Sequence, residues 1–483
     1  MAKLTEEELL KYFRPDLNKA RRRTFEKTES TVFLLDPELK HFGYLKKFMV
    51  STHGCQSNEV DSEVIAGILE NMGFTRAKCI EETDLYIINT CAIRETAETK
   101  AWSELGRVIK FKRHNPNLII GMCGCMTQEP KTIERILKKV PELDLVFGTH
   151  NIYRLPEYIK TAVLSRERVV EVYSIQGEIV ENLPQTHRFS HKAFVNIMYG
   201  CDEFCTFCIV PYTRGKERSR EPNEIVAEIK DLKERGFMEV TLLGQNVNSY
   251  GRDFKDRDYT FGNLLFDIAK TEIPRIRFMT SYPRDIDEIC IKALTEIPQV
   301  MPYLHLPVQS GSNSVLRRMN RHYTKELYLE KINAIKSLRP DFTVTTDIIV
   351  AFPGETEADF QDTLDLVKAV EYDGAFTFIF SPREGTPAAK FKDETPLEVK
   401  KERLARLNKL TSFYAKQSSL RYVGKVLDVL VDGFSRSNSE VLAGYSAENK
   451  LVNFLGSSDK IGKIVKVKIT KANSYHLFGE EVN

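Results

Sequence analysis

The sequence predicts an α/β protein of three parts: an N-terminal α/β domain with a parallel sheet, an open partial barrel of six βα units, and a small C-terminal β-barrel. Two long stretches of the chain alternate short apolar runs with helical segments, which is the pattern of buried parallel strands with crossover helices. The tail instead alternates in strand fashion with Gly and Ser in between. These changes of pattern divide the chain into an extension (1–45), the N-terminal domain (46–165), a linker (166–190), the partial barrel (191–417) and the C-terminal barrel (418–483).

The composition is that of a globular protein with more than one domain. The chain has 483 residues, of which 42% are hydrophobic and 29% are charged. It contains no apolar run long enough for a membrane span, and its N-terminus lacks the apolar core of a signal peptide. We therefore predict a cytoplasmic protein without a membrane partner. The net charge of +2 leaves a nucleic-acid partner open, because local patches decide such binding.

The N-terminal extension and the domain that follows it differ in pattern. The extension is polar and carries the basic run Arg21–Arg23, which fits a solvated tail as well as an RNA-contacting arm. The predicted strands of the domain are Phe48–Val50, Leu85–Ile88, Leu118–Ile120 and Leu145–Phe147.

The partial barrel is predicted from six βα units, which are too few to close an eight-stranded barrel. Its open side would admit a macromolecular substrate. One helix, Glu224–Arg235, carries its apolar residues on one face. The predicted strands are Phe194–Met198, Glu239–Leu243, Arg277–Thr280, Tyr303–Pro307, Val344–Val350 and Phe376–Phe380.

The tail follows a charged helix near Thr395–Leu420. Its predicted strands, Lys425–Val431, Val441–Gly444 and Ile461–Ile469, indicate a small barrel. Barrels of this kind often hold nucleic acid, although a structural cap is an alternative.

Three of the nine cysteines form a Cys-x3-Cys-x2-Cys loop directly after the first strand of the partial barrel. Thiolates at the end of a barrel strand favour zinc or an iron–sulfur cluster. Structural zinc needs four ligands, and no second Cys pair or His pair lies nearby in the sequence. Three ligands on a four-iron cluster leave one iron open to substrate. The predicted ligands are Cys201, Cys205 and Cys208.

With the aromatic Phe207 before the last cysteine, this motif resembles the signature of the radical S-adenosylmethionine (radical SAM) superfamily. The resemblance implies a 4Fe-4S cluster whose open iron chelates S-adenosylmethionine and whose electron cleaves it to a radical. Segments at the strand ends carry glycines that would let the backbone approach this cofactor closely. The residues predicted to hold S-adenosylmethionine are Phe207, Gly244, Gln245, Gln309, Ser310, Asp347 and Gly354.

A second set of cysteines recurs in the N-terminal domain. Cys55, Cys91 and Cys125 each follow one of three successive predicted strands. Because the carboxyl ends of parallel strands meet at one sheet edge, these thiols are predicted to hold a second cluster. Cys123 falls within its strand and is predicted to pack. Cys79 and Cys290 have no partner in the pattern.

Two cysteine sets in this order resemble the radical SAM methylthiotransferase family, from about Lys46 onward, with the C-terminal barrel corresponding to the TRAM domain. The strings Ile209–Arg220 and Leu243–Tyr250 look most like the MiaB branch. The resemblance implies methylthiolation of carbon 2 of isopentenyladenosine-37 in the anticodon loop of tRNA. It also implies two 4Fe-4S clusters, two S-adenosylmethionine per turnover, an electron donor such as flavodoxin or ferredoxin, and a sulfur donor. No catalytic base is predicted.

Contacts with tRNA are predicted in two basic stretches. One directly follows the cluster loop, where a solvated charged run is the alternative, and the other lies in the C-terminal barrel. The predicted residues are Arg214, Arg218, Arg220, Lys463, Lys466 and Lys468.

Two other functions fit parts of this pattern. Sibling branches of the family act on threonylcarbamoyl-adenosine or on a ribosomal-protein aspartate, and the string after Cys208 disfavours both. An iron–sulfur RNA-binding protein without turnover is the alternative of a different class. The glycine-rich strand ends and the open-iron motif argue against it.

Overall fold

The computed structural model describes residues 30–92, 95–172, 179–436 and 438–482. The basic run Arg21–Arg23 and most of the predicted extension lie outside this part of the chain. The chain forms two compact units. The first comprises residues up to 188 together with 199–204 and 208–218, and the second comprises 189–198, 205–207 and 219 onward.

The first unit is built on a parallel six-stranded sheet of order β3-β2-β4-β5-β6-β7. Its central strand β4 is buried along its whole length, as expected for a sheet covered on both faces. A separate parallel pair joins β1 and β8. The strands are β1 (Ser30–Val32), β2 (Lys47–His53), β3 (Thr75–Arg76), β4 (Leu85–Thr90), β5 (Ile119–Gly124), β6 (Leu145–Phe147), β7 (Val169–Glu171) and β8 (Ile179–Glu181).

Helices cover this sheet. Tyr86 and Ile88 of β4 pack with Ala101 and Leu105 of α2 and with Ile133 of α3. Helix α1 contacts β2 and β4, and α4 contacts α1 and β6. The helices are α1 (Gln56–Asn71), α2 (Glu95–Lys112), α3 (Pro130–Lys139), α4 (Leu155–Ser165) and the short α5 (Val210–Thr213).

The segment predicted as a linker takes part in the first unit. Strand β7 extends the main sheet, since Val170 pairs with Val146 of β6. Farther along, Gln185 donates a hydrogen bond to Glu63 of α1 at 2.7 Å, and the backbone of Thr186 donates to the Glu63 carbonyl at 3.1 Å. A polar stretch is thus held by hydrogen bonds to a helix, which its composition alone did not indicate.

The second unit contains the predicted partial barrel of six parallel strands. Strands β9, β12 and β13 form one sheet and β14, β15 and β16 another, all in parallel register. The two sheets join where the backbone of Ile276 donates to Gln299 at 2.8 Å and accepts from Met301 at 3.0 Å. The six strands are β9 (Lys192–Asn196), β12 (Glu239–Leu243), β13 (Arg275–Phe278), β14 (Tyr303–His305), β15 (Thr343–Val350) and β16 (Gly374–Ile379). A separate two-stranded pair consists of β10 (Met198–Tyr199) and β11 (Arg218–Ser219).

One continuous apolar core lies between these strands and their helices. It includes Ile229 of α6, Leu264 of α7 and Ile332 of α10, packed with Val240 and Ile348 of the sheet. Helix α12 packs against β15 and β16. The helices are α6 (Pro222–Glu234), α7 (Phe261–Ala269), α8 (Glu288–Glu296), α9 (Asn313–Arg318), α10 (Lys325–Leu338), α11 (Glu357–Val370) and α12 (Leu397–Leu420). The 3₁₀ turns of the two units are Pro37–Leu39, Ile80–Glu82, Cys125–Gln128, Ile152–Arg154, Val247–Ser249, Pro283–Asp285, Pro387–Lys390 and Ser458–Lys460.

The tail forms the predicted small barrel, which is closed in the order β17-β18-β19-β21-β20. Two of its strands, β19 and β21, were not predicted, and they pair in parallel with each other. The interior is filled by apolar side chains such as Val429, Leu442, Val452 and Val467. The strands are β17 (Val426–Ser435), β18 (Asn438–Ser446), β19 (Leu451–Leu455), β20 (Ile464–Ala472) and β21 (His476–Glu481).

Buried arginines of β13 attach this barrel to the partial barrel. Arg275 donates to the carbonyl oxygens of Tyr445 and Asp428 at 2.9 and 2.8 Å. Arg277 donates to the carbonyl of Ser446 at 2.7 Å and to Glu239 at 2.8 Å. Hydrogen bonds from a charged donor contribute about 1.5–3 kcal/mol each, so these contacts fix the barrel on the sheet. The predicted three-part α/β architecture is confirmed. In the described residues, no helix combines the length and the apolar character that a membrane crossing needs.

Candidate functional site

The three cysteines of the N-terminal domain lie at one edge of the first unit's sheet. His53 of β2 pairs with Thr90 of β4, and Thr90 pairs with Gly124 of β5. Cys91 and Cys125 are therefore at matching positions one residue beyond the strands, and Cys55 is one residue farther along. The predicted convergence at the carboxyl edge is what the register produces.

Local backbone and side-chain bonds hold these strand ends. Gly124 has φ of +100°, and a Cβ there would fall 2.2 Å from the Thr90 carbonyl oxygen, so only glycine fits before Cys125. Asn58 of α1 accepts from the Cys55 backbone at 3.3 Å and donates to Asn89 and to the Thr90 carbonyl, both at 3.1 Å. This buried amide network fixes the segments that carry Cys55 and Cys91.

The thiols of this set differ in their electrostatics. A hydrogen bond with the Cys91 side chain outweighs burial and, together with the charge of Arg214, lowers the pKa of the Cys55 thiol to about 5. Burial raises the pKa of the Cys125 thiol, and the Arg214 guanidinium opposes that shift. Burial also raises the pKa of Cys123 well above its usual range, in keeping with its predicted packing role. The lowered pKa favours the thiolate form of Cys55, which is the form that binds metal.

Arg214 is buried beside this set. Its Nε donates to Cys125 Sγ at 3.1 Å, and its two terminal nitrogens donate to the Asp61 carboxylate at 2.6 and 3.3 Å. The turn before Arg214 packs on the same edge, where Ile209 and Tyr212 join Cys125 in one apolar cluster. The sequence placed Arg214 on an RNA-binding surface, whereas the structure gives it partners inside the first unit.

The Cys-x3-Cys-x2-Cys loop divides between the units, with Cys201 and Cys208 in the first and Cys205 in the second. In the first unit, Gly200 has φ of +77°, and a Cβ there would lie 2.0 Å from the Lys216 carbonyl oxygen. The backbone of Cys201 donates to Gly215 at 3.0 Å. Glycine is therefore required directly before the first cysteine of the loop, as it is before Cys125.

In the second unit, the centre of the loop is held by the chain around α9. Thr206 donates from its backbone to Met319 and from its hydroxyl to Arg318, both at 2.9 Å. Arg321 is buried and donates to Cys205 Sγ at 3.2 Å. Its guanidinium also donates to the Tyr323 hydroxyl at 2.9 Å and lies 4.2 Å from the centre of the Tyr282 ring.

Strained backbone marks the strand ends of the second unit. Thr280, Gln309 and Ala351 follow β13, β14 and β15, and their φ angles are +70°, +67° and +56°. Such angles cost about 1–3 kcal/mol for a non-glycine residue and cluster at ligand sites. Three successive strand ends thus share a left-handed backbone conformation, as is often seen at ligand sites.

Buried polar atoms without a described protein partner lie after β12, β13 and β14. Among the described residues, Asn246 Oδ1, Ser281 Oγ and Gln309 Oε1 are buried and have no hydrogen-bond partner. Buried polar atoms are nearly always paired, so unpaired ones at neighbouring strand ends fit a polar ligand. Their chemistry suits the amino-acid and ribose groups of S-adenosylmethionine.

The residues predicted to hold S-adenosylmethionine all belong to the second unit. Phe207 packs with Met319 and Phe352 near the cysteine loop. Gly244 and Gln245 directly follow β12, and Gln309 and Ser310 follow β14 after a short stretch of chain. Asp347 lies on β15, 3.6 Å from His305, and Gly354 lies in the turn after that strand.

The inner face of the last strands carries exposed aromatic rings, which the sequence analysis missed. On β16, Phe376 is 58% exposed and Phe378 is 46% exposed. Thr377, between them, bonds Asn408 of α12, so the two rings point away from that helix. Phe376 also contacts the His305 ring, with centres 5.9 Å apart. The alternation of Phe with small residues in this strand was a usable signal.

The remaining residues predicted to bind RNA separate into two groups. Arg218 and Arg220 are buried, and Arg220 donates to Glu228 at 2.8 Å and to the Asn196 carbonyl at 2.7 Å. The exposed group lies in and beside β20, where outward positions alternate with the buried Val467 and Ile469. Its members are Lys463, Lys466 and Lys468.

Both cysteine sets consist of three thiols, the ligand type that holds iron–sulfur clusters. In the part of the chain that the structure describes, no three His, Cys, Asp or Glu side chains are close enough to share one metal ion. A 4Fe-4S cluster is larger and binds each thiolate at a separate iron. In each unit a buried guanidinium donates to one of these sulfurs, Arg214 to Cys125 and Arg321 to Cys205, and such donors suit an anionic group.

Three family models match successive parts of the chain. Residues 47–148 match the model described as "Uncharacterized protein family UPF0004". Residues 195–367 match the radical SAM superfamily, and residues 420–482 match the TRAM domain.

Curated relatives match nearly the full length. A tRNA-2-methylthio-N(6)-dimethylallyladenosine synthase of Oceanobacillus iheyensis is 51% identical, covering 98% of this chain and 93% of its own. The enzyme of the same name from Bacillus subtilis is 50% identical, covering 99% and 96%. Among solved structures, the radical S-adenosylmethionine methyltransferase TsrM of Kitasatospora setae, with cobalamin and a [4Fe-4S] cluster bound, has a TM-score of 0.52. It shares 13% identity over 71% of this chain and 77% of its own, and so shows the fold alone.

Proposed function

Because this chain belongs to the family of tRNA-2-methylthio-N(6)-dimethylallyladenosine synthases, which are radical SAM enzymes, we propose that it transfers a methylthio group to carbon 2 of isopentenyladenosine-37 in tRNA. The observation that carries the proposal is the pair of three-cysteine sets, one at neighbouring strand ends of a parallel sheet and one on the loop after β10, in a chain about half identical to these enzymes.

The cysteines have separate tasks in this proposal. Cys55, Cys91 and Cys125 hold the auxiliary 4Fe-4S cluster, and Cys201, Cys205 and Cys208 hold the radical SAM cluster. Bound there, the two clusters supply the sulfur for transfer and the electron for S-adenosylmethionine cleavage, with two S-adenosylmethionine consumed per turnover. The chain's own contribution is to fix these thiolates, through Gly124, Gly200 and the two buried arginines, before any substrate arrives.

The second unit orients the two organic substrates. We assign S-adenosylmethionine to the strand ends, where the unpaired atoms of Asn246, Ser281 and Gln309 offer polar partners. The rings of Phe376 and Phe378 offer a stacking surface to an unstacked adenine and its apolar isopentenyl group. Both surfaces belong to the partial barrel of the second unit, which brings the base and S-adenosylmethionine into one reaction space.

Nucleoside mass spectrometry tests the reaction directly. Isopentenylated tRNA treated anaerobically with reconstituted enzyme, S-adenosylmethionine and a reductant is expected to gain 2-methylthio-isopentenyladenosine. A parallel sample whose tRNA lacks the isopentenyl group is the matched control. If the isopentenylated tRNA gave no product but threonylcarbamoyl-adenosine were methylthiolated, that result would contradict the assigned substrate. The enzyme would then belong to a sibling branch.

The partners proposed for this reaction follow from its chemistry. An electron donor such as flavodoxin or ferredoxin reduces the radical SAM cluster, and a separate donor replaces the transferred sulfur. We propose that the reaction takes place in the cytoplasm, where tRNA is available.

Lysines on the outer face of the C-terminal barrel are proposed to contact tRNA phosphates. Replacing Lys463, Lys466 and Lys468 by Gln is expected to weaken tRNA binding and to reduce the salt slope of log K by about 3, roughly one per lost phosphate contact. Filter binding between about 50 and 200 mM salt measures this slope. The control replaces Lys230, Lys292 and Lys368, which are exposed on helices of the partial barrel, by Gln. An unchanged slope in the barrel variant would contradict the proposal.

A further inference from the structure

Each unit contains a buried arginine that donates a hydrogen bond to one candidate cluster cysteine. In the first unit, Arg214 donates to Cys125 at 3.1 Å, and in the second unit Arg321 donates to Cys205 at 3.2 Å. Guanidinium groups keep their charge in proteins, so a full positive charge lies against one sulfur in each set.

The two arginines differ in what balances their charge. Arg214 is held by both oxygens of the Asp61 carboxylate, at 2.6 and 3.3 Å, and both side chains are more than nine-tenths buried. The other partners of Arg321 are neutral: the Tyr323 hydroxyl at 2.9 Å, the Pro307 carbonyl at 3.3 Å and the Tyr282 ring. The charge beside Cys125 is therefore compensated, whereas within the described ranges no carboxylate is among the partners of Arg321 beside Cys205.

This difference matters for an iron–sulfur cluster, because reduction adds a negative charge to it. A positive group nearby stabilises the reduced form and raises the reduction potential, and hydrogen bonds to the ligand sulfurs act in the same direction. A carboxylate next to that group cancels much of the effect. In a buried site of low dielectric, water screens neither charge well.

We propose that Arg214 and Arg321 are positioning residues that set the two cluster potentials, with Asp61 lowering that of the auxiliary cluster. The inference rests on the proposed function, because it takes Cys125 and Cys205 as cluster ligands. The electron then goes preferentially to the radical SAM cluster, where S-adenosylmethionine is cleaved. The auxiliary cluster, whose task is to give up sulfur, stays oxidised.

The test isolates the auxiliary cluster in the full-length C201A/C205A/C208A chain. After anaerobic reconstitution, iron content and the midpoint potential are measured by redox titration with EPR. Adding D61N is expected to raise the potential and adding R214M to lower it, each by at least a tenfold change in the reduction equilibrium, which is 59 mV for one electron. R214K, which keeps the charge, is expected to fall between R214M and the background.

A matched control removes a different buried carboxylate. Glu239 pairs with Arg277 at 2.8 Å, and both side chains are as buried as Asp61 and Arg214, but no candidate ligand cysteine is among their partners within the described chain. E239Q in the same background is expected to leave the potential unchanged. A purely structural role for Asp61 and Arg214 would move both variants in the same direction or not at all, and either result would overturn the proposal.

The outcomes also separate this proposal from the function it rests on. A C201A/C205A/C208A chain without iron would contradict the proposed auxiliary ligands themselves. If R214M does not bind iron, D61N still tests the proposal, because it is expected to raise the midpoint potential of the auxiliary cluster. Loss of iron from D61N would overturn the proposal, because an acid that only balances charge is not needed for ligation. In the C55A/C91A/C125A chain, R321M is expected to lower the radical SAM potential by a similar factor.

Discussion

A chain in which Cys201, Cys205 and Cys208 are all replaced by alanine is expected to lose S-adenosylmethionine cleavage and to keep half of its reconstituted iron. Cleavage falls by on the order of 10³-fold or more, because these thiolates act as one unit and no other set replaces them. Each single substitution is expected to cost nearly as much. Release of 5′-deoxyadenosine and iron content per chain are the measurements.

The control for this prediction is C79A, which removes an exposed cysteine of the first unit. It is expected to keep both the iron and the cleavage. Loss of all iron from the triple variant would contradict the existence of two independent clusters. Retention of all iron would mean that the loop of Cys201, Cys205 and Cys208 does not bind a cluster.

Replacing Cys55, Cys91 and Cys125 by alanine is expected to separate cleavage from sulfur transfer. This variant keeps half of the iron and still releases 5′-deoxyadenosine, because the radical SAM loop is intact. The methylthiolated nucleoside falls by on the order of 10³-fold or more, since the proposed source of sulfur is gone. Nucleoside mass spectrometry and 5′-deoxyadenosine assays on the same samples measure both products.

C123A is the matched control for that variant, because Cys123 is fully buried on β5 only two residues before Cys125. It is expected to keep both products, with a modest loss of stability from the small cavity it leaves. A methylthiolated product from the C55A/C91A/C125A chain would contradict the assignment of these cysteines.

Strands with strong apolar runs were predictable from the sequence. Leu145–Phe147 and Glu239–Leu243 have the predicted bounds. Strand β13 begins at Arg275, which is earlier than predicted. Arg275 and Arg277 are both buried there, whereas a sequence pattern assigns arginine to the surface. Their charges are buried only because carbonyl oxygens of the C-terminal barrel accept their hydrogen bonds, a contact between distant parts of the chain.

The weaker strands were missed for a related reason. The β21 segment His476–Glu481 mixes charged and apolar residues, and closure of the barrel stabilises it as a strand. Strand β7 lies in the polar stretch predicted as a linker and is held by its pairing with β6. In both cases the tertiary partner outweighs the local propensity.

The cysteine pattern was visible in the sequence, whereas the environment of the cysteines was not. Spacing was sufficient to predict that Cys55, Cys91 and Cys125 follow neighbouring strands at one sheet edge. The role of Arg214 was not visible, because its acidic partner Asp61 lies 153 residues away in the chain. Several arginines close together in a sequence suggest an exposed basic surface. Only the fold shows that Arg214, Arg218 and Arg220 are buried.

The attachment of the C-terminal barrel has a consequence for how tRNA is chosen. Arg275 and Arg277 donate to main-chain carbonyl oxygens of the C-terminal barrel. These acceptors do not depend on the side chains of the barrel or on their protonation. The lysines in and beside β20 and the exposed rings of β16 are thus expected to keep a constant separation. We therefore expect a tRNA to be accepted only when the distance between its bound backbone and its target base matches the separation between these lysines and rings.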